Sequence, residues 1–212
     1  MKGLFITFEG TEGSGKTTII EHLYQQLIKE GYAVMKTREP GGSLISEQIR
    51  QVILDVNNKE MDALTEALLY AASRRQHLKE VIIPNLEKGY IVLCDRYVDS
   101  SLAYQGYARK IGIPKVYQIN KFATDGKMPD LTFYIDVAPK IGLQRIKNNQ
   151  RNQNRLDLEE LSFHERVYKG YQKTAKMFFD RYRIIAGNRP IEAVIQDVME
   201  EMTVFLRNHH EL

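Results

Sequence analysis

The sequence predicts an α/β fold, a sheet of about five parallel strands flanked by helices. Short apolar runs of strand length recur along the 212 residues, and amphipathic stretches of helical period separate them. Strands joined through helices pair in parallel and are covered on both faces, which is why they read as unbroken apolar runs. With 43% hydrophobic and 27% charged residues, the chain is sized for one domain, 1–212, with a sizeable core.

The elements follow in order. Leu4-Phe5-Ile6-Thr7-Phe8 is a buried-strand candidate, a Gly-rich segment comes next, and a helix is expected from about Lys16 to Glu30, with Gly31 as its stop. Tyr32-Ala33-Val34-Met35 reads as the second strand. After a turn at Pro40-Gly41-Gly42, residues Leu44, Ile45, Gln48, Ile49, Val52 and Ile53 recur at helical spacing. Asp62 can cap a long helix running towards Leu86. Ile91–Cys94, Leu131–Ile135 and Tyr182–Ile185 are the remaining strands, and a closing helix is rich in Ile, Val and Met. Ligands of such sheets bind beyond the carboxyl ends of the strands. Gly10, Arg38, Asp95 and Asp136 would all sit on that edge.

Bulk properties narrow the function classes. Net charge is only +3, 30 basic against 27 acidic residues, which makes no case for nucleic-acid binding. No apolar run approaches the ~20 residues needed to span a bilayer. The apolar stretch near Met1 is too short for a signal peptide and leads straight into a motif. Cys94 is the only cysteine, excluding a disulfide framework. A cytoplasmic enzyme is the expectation.

Gly10-Thr11-Glu12-Gly13-Ser14-Gly15-Lys16-Thr17 matches G-x-x-x-x-G-K-[ST] in full, after a strand and opening a helix as that motif requires. This makes the fold a P-loop NTPase fold. The glycines let backbone N–H groups turn inward around phosphate oxygens, and the helix N-terminus adds its positive dipole end. Lys16 would reach the β- and γ-phosphates of ATP, and Thr17 would ligate Mg²⁺. Thr18 completes the triphosphate-contacting run. Glu12 is the odd member: a carboxylate repels phosphate, so it should point away. It is either a solvated loop acid or an acceptor for a second substrate's hydroxyl. Asp95, closing the apolar strand before Arg96, stands where an acid would hold Mg²⁺ directly or through water.

Among P-loop proteins, a regulatory GTPase carries Asn-Lys-x-Asp, and Asn120-Lys121-Phe122-Ala123 fails at the fourth position. A small kinase needs a second substrate site and a cationic lid that excludes water. Arg145, Lys147, Arg151 and Arg155 lie in an Asn/Gln-rich stretch near 145–157 that reads as such a lid.

Several ordered motifs then resemble the thymidylate kinase family over essentially the whole chain, most closely its bacterial members. They are Phe8-Glu9-Gly10, Thr37-Arg38-Glu39-Pro40-Gly41-Gly42, Leu69-Tyr70-Ala71-Ala72-Ser73-Arg74-Arg75, Asp95-Arg96-Tyr97, Ser100-Ser101-Leu102-Ala103-Tyr104-Gln105-Gly106 and Pro129-Asp130-Leu131-Thr132. The resemblance implies phosphorylation of dTMP to dTDP by ATP with Mg²⁺, in a homodimer. It implies that Arg38 and Arg96, joined by Arg50, clamp the monophosphate, since guanidinium forks match phosphate oxygens. It implies further that Arg74 and Gln105 bond the thymine edge, with Ser101 in the same segment, and that Tyr70 stacks on the ring. Glu12 would meet the 3′-hydroxyl, and Tyr104 would exclude a ribose 2′-hydroxyl. Some members carry arginine where Gly13 stands here; lacking it, this chain would draw transition-state charge from the lid, with Arg155 and Arg151 ahead of Arg145. Ala186–Pro190 would run over the adenine, though it also fits an ordinary strand-to-helix turn. His164 and Glu165 read as surface or helix residues. The alternatives are another deoxynucleotide or nucleoside kinase, or a P-loop regulatory or nucleic-acid-binding ATPase.

Overall fold

Every residue of Leu4-Phe5-Ile6-Thr7-Phe8-Glu9 is buried, as a central strand covered on both faces must be. The computed structural model describes residues 3–148 and 154–210, His210 by its backbone alone. The strands β1 (Leu4–Glu9), β2 (Val34–Arg38), β3 (Ile91–Asp95), β4 (Leu131–Asp136) and β5 (Tyr182–Ala186) form one parallel sheet in the order β2-β3-β1-β4-β5. The order reverses beside β1, so the crevice opens where β1 and β3 end.

The helix α1 (Lys16–Lys29) follows β1. Its Ile19, Ile20, Leu23 and Leu27, one stripe at 3.6-residue spacing, pack on the sheet with Val194, Val198 and Met202 of α9 (Ile191–His210). Its end differs from the sequence expectation for β2. Gly31, at φ 87°, donates to the Ile28 carbonyl and Tyr32 to the Leu27 carbonyl, which closes the helix in a Schellman turn. Tyr32 is spent in that cap. Pairing starts instead at Val34 opposite Ile91 and runs on to Arg38 opposite Asp95.

The remaining helices are α2 (Leu44–Leu54), α3 (Ala63–His77), α4 (Ile83–Glu87), α5 (Val98–Ser101), α6 (Ile113–Thr124), α7 (Pro139–Asn148) and α8 (Leu161–Met177). Asp62 caps α3 by accepting from Leu64 N and Thr65 N, both at 3.0 Å. The expected run towards Leu86 is helical in extent but contains a π turn over Leu78–Ile82, just before Pro84, which has no N–H to donate. A second π turn spans Leu102–Ala108. Among the described residues, no helix is long and apolar enough to cross a membrane.

Candidate active site

The loop between β1 and α1 lines a cavity of about 720 Å³ with residues 12–18, within the usual range for small-molecule sites. Gly10 and Thr11 precede this lining run. Thr11 Oγ1 donates to the Val137 carbonyl at 3.0 Å, tying the loop to the end of β4. Lys16 Nζ folds into the loop and donates to Gly10 O at 3.2 Å, Thr11 O at 3.1 Å and Ser14 Oγ at 3.1 Å. Burial, then the positive charge of Arg96, pushes its pKa down to about 8 against the pull of Asp95 and Glu12. An uncompensated buried ammonium of this kind is a receptor for polyanions.

Gly13 explains why the loop carries no arginine. It sits at φ 70°, and a Cβ there would fall 2.1 Å from the Gly142 carbonyl oxygen of α7. Reciprocally, a Cβ on Gly142 would fall 2.1 Å from the Glu12 carbonyl. The loop and α7 therefore touch backbone to backbone, with no room for a side chain at either place.

Thr17 Oγ1 donates to Asp95 Oδ2 at 3.3 Å, while Asp95 Oδ1 is buried without a hydrogen-bond partner. A buried lone carboxylate oxygen beside a hydroxyl fits Mg²⁺, which is held by one or two protein oxygens plus phosphates.

Arg38 ends β2 and Arg96 follows β3, as the sequence placed them, and both line the cavity together with Arg50 of α2. Burial and then the Arg38 charge lower the Arg50 pKa, opposed by Glu47; cations crowded so closely favour an anion between them. Arg38 bonds Glu47 and the Pro40 carbonyl, and Arg50 bonds the same carbonyl at 2.7 Å. Arg96 takes φ 71°, a left-handed conformation that a non-glycine residue keeps only when its surroundings fix it. They do. Its backbone N–H donates to Phe8 O, and its guanidinium reaches Gly10 O at 3.0 Å, Ser100 Oγ at 3.2 Å, Tyr171 Oη at 2.8 Å and Glu12 Oε1 at 2.8 Å. Glu12 also accepts from Tyr104 Oη at 3.0 Å. It thus turns toward Arg96 and Tyr104 rather than into the loop.

Tyr70, Tyr104 and Gln105 line the same cavity. Arg74 and Ser101 do not line it. Arg74, expected at the base, is 1% exposed. Its donors go to Glu39 at 2.6 Å, Ser101 at 2.9 Å, the Tyr97 carbonyl at 2.9 Å and Asn120. The helix face alone could not reveal this, because the competing acceptors come from three other segments.

The arginines expected in the lid take different places. Arg145 near the end of α7 lines the cavity and donates to the Gly187 carbonyl at 3.2 Å. Arg155 faces elsewhere, against the Ile53 carbonyl at 2.9 Å and Glu66 Oε2 at 2.5 Å. Arg151 lies outside the described residues. Asp136 ends β4 without lining the cavity, whereas Gly187, Arg189 and Ile191 of the 186–190 loop and its following helix do line it. His164, read as a surface or helix residue, lies on α8, buried edge-on against Phe163.

Three features escaped sequence reading. Glu9 is wholly buried and accepts from Tyr97 N, Ser100 Oγ and Tyr171 Oη. It thereby orients the two hydroxyls whose oxygens receive Arg96. The π turn over Leu102–Ala108 brings the adjacent Tyr104 and Gln105 both to the cavity, a use of π geometry common at functional sites. Glu66, with no exposed surface, gathers Gln105, Arg109 and Arg155. The first two signals, Glu before the loop and a Gly-containing helix, are too common to single out.

The sequence model described as Thymidylate kinase matches residues 8–198. The chain is 58% identical over 207 residues to the thymidylate kinase of Oceanobacillus iheyensis, covering 97% of this chain and 92% of that protein. It is 57% identical over 198 residues to the thymidylate kinase of Clostridium novyi, covering 93% and 97%. Its fold matches the crystal structure of a thymidylate kinase from Ehrlichia chaffeensis with a TM-score of 0.78 at 33% identity, covering 96% and 99% of the two chains.

Proposed function

Because this chain belongs to the thymidylate kinase family and phosphorylates dTMP to dTDP, we propose that ATP is the donor, with Mg²⁺, and that the residues above divide the two substrates between them. The observation that carries this reading is one cavity lined by both a phosphate loop and three arginines, 38, 50 and 96. Residues 13–18 take the triphosphate, Arg145 and the 186–190 loop flank the donor, and Tyr70, Tyr104 and Gln105, with Glu12, take the nucleoside. Thr17 and Asp95 would hold Mg²⁺, which supplies charge neutralisation on the phosphates.

The acceptor phosphate has a second pKa near 6, so its attacking oxygen is already ionised at neutral pH. A general base is unnecessary. What remains is positioning and charge stabilisation, and these fall to Lys16, Arg96 and the lid. Arg145 is the described lid cation at the cavity; Arg151 is proposed to join it, and Arg155 acts at the lid's base. The nucleic-acid-binding ATPase alternative is not favoured, since the family match spans the chain.

Coupled assays with dTMP, dUMP, dCMP, dAMP and thymidine test the acceptor reading. Turnover should be greatest on dTMP and lost on thymidine, which has no phosphate for the three arginines; equal turnover of all five would sink it. We also propose a homodimer, supported by exposed Leu64 and Leu68 of α3 and Phe122 of the adjoining α6. Sedimentation equilibrium should give twice the chain mass, and a strictly monomeric species at assay concentration would refute it.

A further inference from the structure

Gln105 is 1% exposed and lines the cavity, and its Oε1 is buried without a hydrogen-bond partner. Its Nε2 donates to Glu66 Oε1 at 2.9 Å. Glu66 is itself fully buried on α3, one helical turn before Tyr70, whose ring lines the same cavity. The remaining valence of that carboxylate is held by arginines: Arg109 Nε at 3.3 Å and Nη2 at 3.2 Å, and Arg155 Nη2 at 2.5 Å. Arg109 is anchored in turn by Glu159 at 2.5 Å and stacks over Phe163.

A glutamine amide has two unlike ends, one donating and one accepting. Left free, it turns whichever end a ligand requires, so it discriminates poorly between a donor and an acceptor. An ionised carboxylate only accepts. Glu66 faces burial, which would neutralise it, but Arg109, Gln105 and Arg155 outweigh that and hold its pKa below the usual range. The amide end facing Glu66 is therefore the NH₂, and the end left without a protein partner is the carbonyl.

We infer that Glu66 is a positioning residue for base selection: by holding the Gln105 NH₂, it fixes Oε1 as an acceptor that admits a pyrimidine presenting a ring N–H and rejects one presenting a ring nitrogen lone pair. Thymine and uracil carry N3–H; cytosine carries a bare N3, which would meet the Gln105 oxygen lone pair to lone pair. Such a buried, unsatisfied pairing is where polar sites discriminate most strongly. The inference rests on the dTMP reading above and adds to it the group that sets the amide's polarity. It also gives Arg155 a place: with Arg109, it keeps Glu66 ionised.

The test compares kcat/KM for dTMP and dCMP in the wild-type enzyme, Glu66→Gln, Glu66→Asp, Gln105→Met and the double variant Glu66→Gln/Gln105→Met. A glutamine at 66 can offer either end to Gln105 and so releases it. The dTMP-to-dCMP ratio should fall at least about tenfold in Glu66→Gln, mostly through a higher KM for dTMP, and equally in Gln105→Met. The double variant should show no further fall, since both changes remove one interaction. Glu66→Asp, which keeps the charge, should recover most of the ratio. Equal losses on both nucleotides, leaving the ratio unchanged, would mean Glu66 only braces the fold and would overturn the inference. If Glu66→Gln does not fold, the wild-type protein decides by ¹⁵N NMR, with Gln105→Met assigning the signal. The Gln105 side-chain amide protons should exchange slowly, and exchange as fast as at exposed glutamines would overturn the inference. A wild-type enzyme that does not prefer dTMP over dCMP would instead remove the underlying acceptor reading.

Discussion

Lys16→Met is expected to lower kcat by about 10²–10³-fold while leaving the folded protein at least as stable as the wild type at neutral pH. The rate follows from losing a charge directed at the transferring phosphoryl group; the methionine keeps the apolar stem. The stability follows from linkage. The Lys16 pKa falls from 10.5 to about 8 on folding, through burial first and Arg96 second, so the ammonium is disfavoured in the native state. Below pH 8 that penalty is fully present and is of the order of a few kcal/mol. Between pH 8 and 10.5 the unfolded chain binds more protons, so stability rises with pH. Removing the lysine removes the penalty. Calorimetry should therefore show an unchanged or higher Tm at pH 7 beside the collapsed turnover, and a large drop in Tm would show Lys16 to be a structural strut. The same titration predicts that wild-type ATP affinity weakens by up to about tenfold per pH unit above pH 8, because binding must then take up a proton. Lys16→Met should lose this dependence in titration calorimetry.

What the sequence made legible divides along physical lines. The phosphate loop, Asp95 and Arg96 were readable because each is fixed by its own few neighbours: a strand end, a turn, a helix start. Glu12 could be aimed away from phosphate by charge alone, and it does turn to Arg96 and Tyr104. The placements of Arg74 and Arg155 were illegible for the opposite reason. Their long side chains are directed by acceptors 35 and 89 residues away, Glu39 and Glu66, and no local pattern tells which partner wins. The strand at Tyr32 failed through a Schellman cap whose hydrogen bonds a hydropathy pattern does not carry. The π turn at Leu102–Ala108 was illegible because π geometry is set by packing, here against α8 and α6, rather than by residue type.

Arg96→Ala is expected to lower kcat/KM for dTMP by at least about 10²–10³-fold, with ATP affinity held within a few fold. Arg96 lines the cavity with its guanidinium held on the phosphate loop, at Gly10 O and at Glu12, whose carboxylate also accepts from Tyr104. Burial would lower its pKa, but Glu12 and the neighbouring tyrosines more than reverse this, so it stays charged across the working range. Arg96→Lys should recover little, because a single ammonium cannot span the four partners that the planar fork now reaches. Truncation also strips Glu12 of its cation, which confuses a loss of chemistry with a loss of folding. The double variant Glu12→Gln/Arg96→Ala separates them: it removes the unpaired charge, so its Tm should return toward the wild-type value while its turnover stays low. Recovery of turnover together with Tm would mean that Arg96 serves only to neutralise Glu12. Persistent inactivity in a stable protein assigns the arginine to the reacting phosphates, where its strained backbone at φ 71° has a reason to be maintained.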